Sequence, residues 1–327
     1  MSTNIEVENR KSLMLFSGRA HPGLAEEIAS ELGTGVTPTT AYDFASGEIY
    51  VRFKESVRGS DAFVIQSMTT PINEWVMEAL LMVDALKRGS AKRTTVVLPF
   101  YPYGRQDKKH RGREPISARL LADLFKTAGA DRILTVDLHT AQIQGFFDGP
   151  VDHLFALPLL AEHVQGTYAG RDLTVVAPDS GRVRVAERWA DELGGTPLAF
   201  IHKTRDPLVP NQVVANRVVG EVEGRVCIIV DDMIDTGGTI CKAADALFDA
   251  GAADVVVAAT HGVLSDPATE RLKNSRISEV ILTNTLPIPP EKQLDKLTLL
   301  SIAPLVARAI HEVFDDGSVT SLFGGAS

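Results

Sequence analysis

Short apolar runs and longer amphipathic stretches alternate along nearly the whole chain. SLMLFSG (12–18) precedes PGLAEEIASELG (22–33), DAFVIQS (61–67) precedes INEWVMEALLMVDALKRG (72–89), TTVVLPF (94–100) precedes ISARLLADLFKTAG (116–129), and RILTVDL (132–138) follows. A second series runs through DLTVVAP (172–178), RVRVAERWADELGG (182–195), LAFIHK (198–203), RVCIIVDD (225–232), TICKAADALFDAG (239–251), DVVVAAT (254–260), DPATERLKN (266–274) and SEVILTN (278–284). Continuous Val/Ile/Leu runs mark strands covered on both faces, and the intervening 3.6-residue periodicity marks helices. Such alternation predicts α/β architecture with mainly parallel sheets and right-handed crossovers.

The two series read as duplicates. Leu124-Phe125 and Ala130-Asp131 recur without a gap as Leu247-Phe248 and Ala253-Asp254, 247 − 124 = 123 positions later. Two similar Rossmann-like domains are expected, with a boundary near Gly149-Pro150: residues 1–150, residues 151–317, and a polar tail at 318–327 carrying an apolar handle, Leu322-Phe323. At 327 residues the chain is long enough for two cores. Apolar residues make up 44% and charged residues 23%, as in a globular protein. A net charge of 33 − 42 = −9 argues against a general nucleic-acid surface, so basic clusters are local features. Cys227 and Cys241 lack metal spacing and fit a reducing compartment. No run approaches a membrane span, and the four-residue apolar run near the N-terminus is short for a signal peptide core, so a cytoplasmic location is expected.

The most informative stretch is RVCIIVDDMIDTGGT (225–239). A buried strand ends in Asp231-Asp232, and Asp235-Thr236-Gly237-Gly238-Thr239 leads into a helix. Small residues at a strand-to-helix turn let N–H groups and hydroxyls surround an anion at the helix N-terminus. Two acids beside a phosphate cradle would repel phosphate alone; they suit the hydroxyls of a sugar phosphate or a nearby metal. An ordinary βα turn explains the glycines and Thr239 but not consecutive acids. The stretch resembles the signature of type I phosphoribosyltransferases and ribose-phosphate pyrophosphokinases, in which the acids hold the ribose hydroxyls and the loop holds the 5-phosphate.

A second block, DLHTAQIQGFFDGPVDH (137–153), separates those two families. It resembles the pyrophosphokinase signature, with Asp137, His139, Gln142, Gly145, Phe146, Phe147, Pro150 and Asp152 in place. Thr140 departs from the usual alanine or serine. The resemblance implies that His139, with Asp179 of APDSG, helps hold the Mg²⁺ of Mg·ATP; Asp179 also fits a helix N-cap. A third block, RQDKKHRGREP (105–115), puts five Lys/Arg and one His within nine positions after an apolar run. A solvated face is the ordinary reading of such a run; the resemblance assigns Arg105 and Gln106 to ATP. It also assigns Ser46, Gly47 and Glu48 of DFASGE to the adenine. Nearby, the aromatic ring of Phe44 offers a stacking surface for a base. A fourth block, FIHKTRD (200–206), places Lys203 and Arg205 at a strand end before a Pro/Asn-punctuated loop, and the resemblance makes them stabilise the transition state.

These blocks occur in family order over residues 12 to 323, so the resemblance implies two phosphoribosyltransferase-type domains. It also implies synthesis of phosphoribosyl pyrophosphate and AMP from ribose 5-phosphate and ATP, for nucleotide, histidine and tryptophan biosynthesis. A phosphoribosyltransferase needs neither the 137–153 block nor an ATP segment, and a catalytically silent subunit would have lost residues retained here. The resemblance further implies a homohexamer activated by phosphate and inhibited by ADP. Arg58, Lys108, Arg111, Ser318, Thr320 and Ser321 are the candidates for that regulatory site.

Overall fold

The structure is a computed structural model describing residues 11–205 and 213–323. The elements in chain order are β1 (Leu13–Ser17), α1 (Pro22–Glu31), β2 (Thr39–Asp43), β3 (Ile49–Phe53), β4 (Asp61–Ile65), α2 (Ile72–Arg88), β5 (Arg93–Leu98), α3 (Ser117–Ala128), β6 (Arg132–Val136) and β7 (Val151–Leu154). Then follow α4 (Leu157–Thr167), β8 (Leu173–Ala177), α5 (Val183–Glu192), β9 (Leu198–Arg205), β10 (Val213–Val219), β11 (Val226–Ile234), α6 (Gly238–Asp249), β12 (Asp254–Gly262), α7 (Ala268–Asn274), β13 (Glu279–Thr283), β14 (Leu297–Leu300) and α8 (Ala303–Phe314). The chain forms two compact units, Met1–Leu154 with Ala303–Ser327, and Phe155–Ile302.

The first unit contains an all-parallel sheet in the order β1-β4-β5-β6-β7. Every residue of β4 is buried, which is why its sequence is an unbroken apolar run after Asp61. The second unit contains a seven-stranded sheet, β10-β9-β8-β11-β12-β13-β14, parallel except for the β9–β10 pair. Its core joins Ile229, Val257, Val280 and Leu282 of the sheet to Ile240, Ala244 and Leu247 of α6. The recurring Leu-Phe and Ala-Asp pairs fall at equivalent places, the end of α3 before β6 and the end of α6 before β12. At both, a glycine with positive φ turns the chain back, Gly129 at 120° and Gly251 at 89°.

The structural division differs from a cut at 150/151. Val151–Leu154 adds the edge strand β7 to the first sheet, and α8 returns to the first unit instead of closing the second. Helix α8 buries Leu305, Val306, Ala309, Ile310 and Val313, and packs on α1, which buries Leu24, Ala25 and Ile28. Charge reinforces that docking: Asp316 accepts from Arg93 (2.5 Å) and from Lys11, while Arg93 also holds the buried Asp61. Lys11 and then Arg93 hold the Asp316 carboxyl down at about 2. The 318–327 segment also begins as structure, a 3₁₀ turn at Val319–Phe323.

The hydrophobic pattern does not predict the antiparallel hairpin β2–β3, in register from Thr39↔Phe53 to Asp43↔Ile49. Phe16 anchors its base through the Phe53 ring, with centroids 4.4 Å apart. VVANRVV, read from sequence as part of a loop, instead forms β10.

Candidate active site

In the first unit the candidate residues follow the carboxyl ends of parallel strands, where open α/β sheets bind ligands. The segment after β5 carries Arg105 and Gln106, and the segment after β6 carries His139. A Cβ on Gly104 would lie 3.3 Å from the His139 Cβ, so the two segments pack directly. Asp107, 5% exposed, ties them together by accepting from Thr140 Oγ1 (2.8 Å) and Gln142 Nε2 (2.5 Å). Thr140, the departure from the usual pattern, therefore supplies a bond that serine could make and alanine could not. Asp137 sits at φ 40°, a strained backbone position beside His139. Gln106 Oε1 accepts from Ser117 Oγ (2.6 Å), and its carbonyl accepts from the Ala118 N–H, joining the ATP candidate to the start of α3.

Ser46, Gly47 and Glu48 form the tip of the hairpin. The Phe44 N–H donates to the Glu48 carbonyl, Gly47 N–H to the Phe44 carbonyl, and Ser46 Oγ to Glu48 Oε2 (2.8 Å). Gly47 has φ 86°, which suits glycine. Phe44 is 47% exposed and meets Tyr50 edge to face, leaving ring surface for a base. At this end of the hairpin Asp43 accepts from Arg19 (2.7 Å), whose guanidinium also engages the fully buried Glu78.

In the second unit the chain runs from β8 outward to β9, then crosses to β11 and continues through β12 the other way. The β8/β11 boundary is therefore the topological switch point. Asp179 lies two residues past β8, and Asp231, Asp232, Asp235, Thr236, Gly237, Gly238 and Thr239 occupy the end of β11 and the turn into α6. Gly237 caps α6 in the left-handed region, φ 69°. The first-turn N–H groups of such a helix have no intrahelical acceptor, and the helix dipole favours an anion there. Arg271 Nη1 donates to the Thr236 carbonyl (3.0 Å) and braces the loop.

The acid pair is not bare. Arg182 Nε lies 2.9 Å from Asp231 Oδ1, and Nη2 lies 2.6 Å from Asp232 Oδ1. Burial, followed by the Asp232 carboxylate, pushes Asp231 well above the usual carboxylate range; Arg182 opposes both. Sequence reasoning missed Arg182, Asp107 and Arg271. Nothing in the spacing of Arg182 distinguishes it from Arg184 or Arg188 of the same helical pattern.

Lys203 and Arg205 are the sixth and eighth residues of β9, with backbones paired to Asn216 and Val213. Their side chains, and residues 206–212 of the loop expected next, lie outside the described residues. Arg58, Lys108, Arg111, Ser318, Thr320 and Ser321 are all exposed. The tail hydroxyls bond locally, Ser321 Oγ donating to the Ser318 carbonyl (2.6 Å). Among the described residues, no hydrogen bond or ion pair joins these hydroxyls to the three cations.

Among the described residues no group of three or more His, Cys, Asp or Glu side chains could hold a metal. Magnesium keeps waters and substrate phosphates and takes only one or two protein groups. Asp179 Oδ1 already accepts from the Gly181 N–H (3.0 Å), so its carboxylate is fixed in direction.

Mainly parallel α/β units, with an acid pair and a glycine-capped helix at the switch point of the second sheet, place the protein in the phosphoribosyltransferase-type fold class. Residues 13–129 match the N-terminal domain of ribose phosphate pyrophosphokinase, and residues 201–324 match the phosphoribosyl synthetase-associated domain. The ribose-phosphate pyrophosphokinase of Streptomyces coelicolor is 69% identical over 321 residues, 98% of this chain and 99% of its own. That of Mycobacterium tuberculosis is 67% identical over 318 residues, 97% of this chain and 98% of its own. A crystal structure of phosphoribosylpyrophosphate synthetase from Mycobacterium smegmatis superposes with a TM-score of 0.90 at 65% identity, covering 94% of this chain and 100% of that one. The chain belongs to the ribose-phosphate pyrophosphokinase family, a family of diphosphotransferases.

Proposed function

We propose that this protein transfers the pyrophosphoryl group of ATP to the 1-hydroxyl of ribose 5-phosphate, giving phosphoribosyl pyrophosphate and AMP. The observation that carries the reading is the pairing, at one switch point, of an acid pair suited to a cis-diol with a glycine-capped helix suited to a phosphate. Asp231 and Asp232 accept from the ribose hydroxyls, while Asp235, Thr236, Gly237, Gly238 and Thr239 enclose the 5-phosphate. Ser46, Gly47, Glu48, Arg105 and Gln106 hold the nucleotide, with Phe44 against the base. His139 and Asp179 are assigned to the magnesium that accompanies ATP; when bound, the ion neutralises charge on the triphosphate. The 1-hydroxyl oxygen attacks the β-phosphorus and gives up its proton to solvent, the bond from that phosphorus to the α,β-bridging oxygen breaks, and AMP leaves with that oxygen. Lys203 and Arg205 neutralise charge spread over the phosphate oxygens during that step. No side chain stands out as an obligatory general base.

Two phosphates move together, so the stoichiometric nucleotide product should be AMP. Incubation with ribose 5-phosphate, ATP and Mg²⁺ followed by nucleotide chromatography tests this directly. ADP as the matching product would indicate an ordinary kinase and overturn the reading.

We also infer a cytoplasmic homohexamer in which phosphate activates and ADP inhibits at subunit contacts. Arg58, Lys108, Arg111 and the hydroxyls of Ser318, Thr320 and Ser321 are the residues assigned. All six side chains are exposed and so open to a ligand or to a neighbouring copy. A ligand bound only in the assembled state stabilises that state by mass action. Deleting residues 318–327 should abolish phosphate activation and ADP inhibition while some basal turnover remains. A truncated enzyme with the full phosphate response in a steady-state assay would remove the tail from this assignment.

A further inference from the structure

Consecutive aspartates at the end of a buried strand pose a problem that the chain solves with one side chain. Asp232 is 7% exposed, and Asp231 is pushed toward its neutral form by burial and by its neighbour. A substrate that is itself a phosphate dianion makes the local charge worse. Arg182 answers this as the ion-pair partner of both acids. Its Nε lies 2.9 Å from Oδ1 of Asp231, and its Nη2 lies 2.6 Å from Oδ1 of Asp232, an oxygen that makes no hydrogen bond among the described residues and is held by this charge contact. The Asp232 N–H also donates to Asp231 Oδ1 (2.9 Å), so that oxygen is directed inward twice.

We propose that Arg182 is a positioning residue of the ribose 5-phosphate site: it clamps Oδ1 of both acids and so presents Oδ2 of each to the sugar's two adjacent hydroxyls. This inference rests on the function proposed above and deepens it at the same site. A planar guanidinium engages two acceptors at a fixed spacing, whereas an ammonium is a point charge. The spacing of the two carboxylates is therefore set by the clamp and not by two independent rotamers. The clamp is itself mounted rigidly. Arg182 closes the 3₁₀ turn Ser180–Arg182 and opens α5, which packs on β8 and β11. Its N–H donates to the carbonyl of Asp179 (3.2 Å), and the Gly181 N–H caps on the Asp179 carboxylate (3.0 Å). One short turn thus fixes both the arginine that orients the sugar acids and the aspartate assigned to the ATP metal. The Arg182 cation also offsets negative charge at the acid pair, which lessens repulsion of the incoming phosphate.

Wild type, Arg182→Lys and Arg182→Gln can be compared by calorimetry with ribose 5-phosphate, by KM for each substrate, and by thermal melting. The expected KM for ribose 5-phosphate rises about tenfold in Arg182→Lys and about a hundredfold in Arg182→Gln, since removing one partner of a buried charge pair is costly. The KM for ATP should change less than about twofold, because the residues assigned to the nucleotide belong to the hairpin tip and the segment after β5, and the Asp179 carboxylate keeps its bond to the Gly181 N–H. A positioning role has a further signature. Wild type should prefer ribose 5-phosphate over 2-deoxyribose 5-phosphate, and the preference should narrow in Arg182→Lys because the acids no longer hold a fixed spacing. If Arg182→Gln does not fold, Arg182→Lys carries the test. Unchanged sugar KM and preference in Arg182→Lys, or equal loss for both substrates, overturns the clamp. A wild-type protein that binds no ribose 5-phosphate overturns the proposed function instead, and this inference with it.

Discussion

Replacing Lys203 with alanine is expected to lower kcat by roughly 10²–10³-fold, the equivalent of about 3–4 kcal/mol of transition-state stabilisation. Pyrophosphoryl transfer asks little covalent chemistry of the protein. Its demand is for cations aimed where negative charge spreads between attacking and leaving oxygens. A lysine assigned to that charge contributes mainly in the transition state, so kcat should fall with kcat/KM while both KM values move little. Stability should change much less, because the backbone pairing of Lys203 with Asn216 in the β9–β10 ladder does not depend on the side chain. Saturating-substrate rates of AMP formation, with a melting curve on the same preparation, separate the two effects. Arg205→Ala should act in the same direction, and the double variant should lose less than the product of the single losses, as expected for residues acting as a unit. Near-normal kcat in Lys203→Ala would make Lys203 a bystander.

The parts of this molecule that the sequence reveals are those whose physics is local. Parallel strands covered on both faces must be continuous apolar runs, so VCIIV and VVVAA declare themselves as strands by composition and length alone. The acid pair and the glycine turn are equally legible, because a positive-φ helix cap and two adjacent carboxylates are properties of neighbouring residues. The hairpin β2–β3 is not, since TTAYD and IYVRF are largely half-exposed and carry no buried stripe. The docking of α8 escapes for another reason. An amphipathic helix announces that it needs an apolar partner but not which one, and here the partner is α1, roughly 280 positions earlier in the chain. Arg182, Asp107 and Arg271 act across elements: each meets a site segment that sequence spacing cannot bring to it. What can be read is the ligand-facing chemistry, and what cannot is the set of groups that hold it in place.

Substitutions at Gly237 should separate sugar-phosphate binding from nucleotide binding with a graded series. Gly237 holds φ at 69° as the N-cap of α6, and a hypothetical Cβ would sit at an ordinary 3.7 Å from Ala268 and Leu272. Space is therefore not the constraint; backbone conformation is. Asparagine enters the left-handed region at modest cost, whereas a β-branched residue is an outlier there and carries strain of about 1–3 kcal/mol. Relief of that strain would rotate the peptides of Thr236 to Thr239, moving the first-turn N–H groups off the positions assigned to the 5-phosphate. Gly237→Asn should raise the KM for ribose 5-phosphate by about threefold or less, and Gly237→Val by about tenfold to a hundredfold, since each 1.4 kcal/mol is about tenfold. The KM for ATP should remain within about twofold in both, because the residues assigned to the nucleotide belong to the hairpin tip and to the segment after β5. Asp235→Ala should fall in the same class as Gly237→Val, with the loss confined to the sugar phosphate. If Gly237→Val weakened ATP and ribose 5-phosphate equally while melting like the wild type, the turn would not be a dedicated phosphate cradle. The acid pair would then have to account for the sugar site without it.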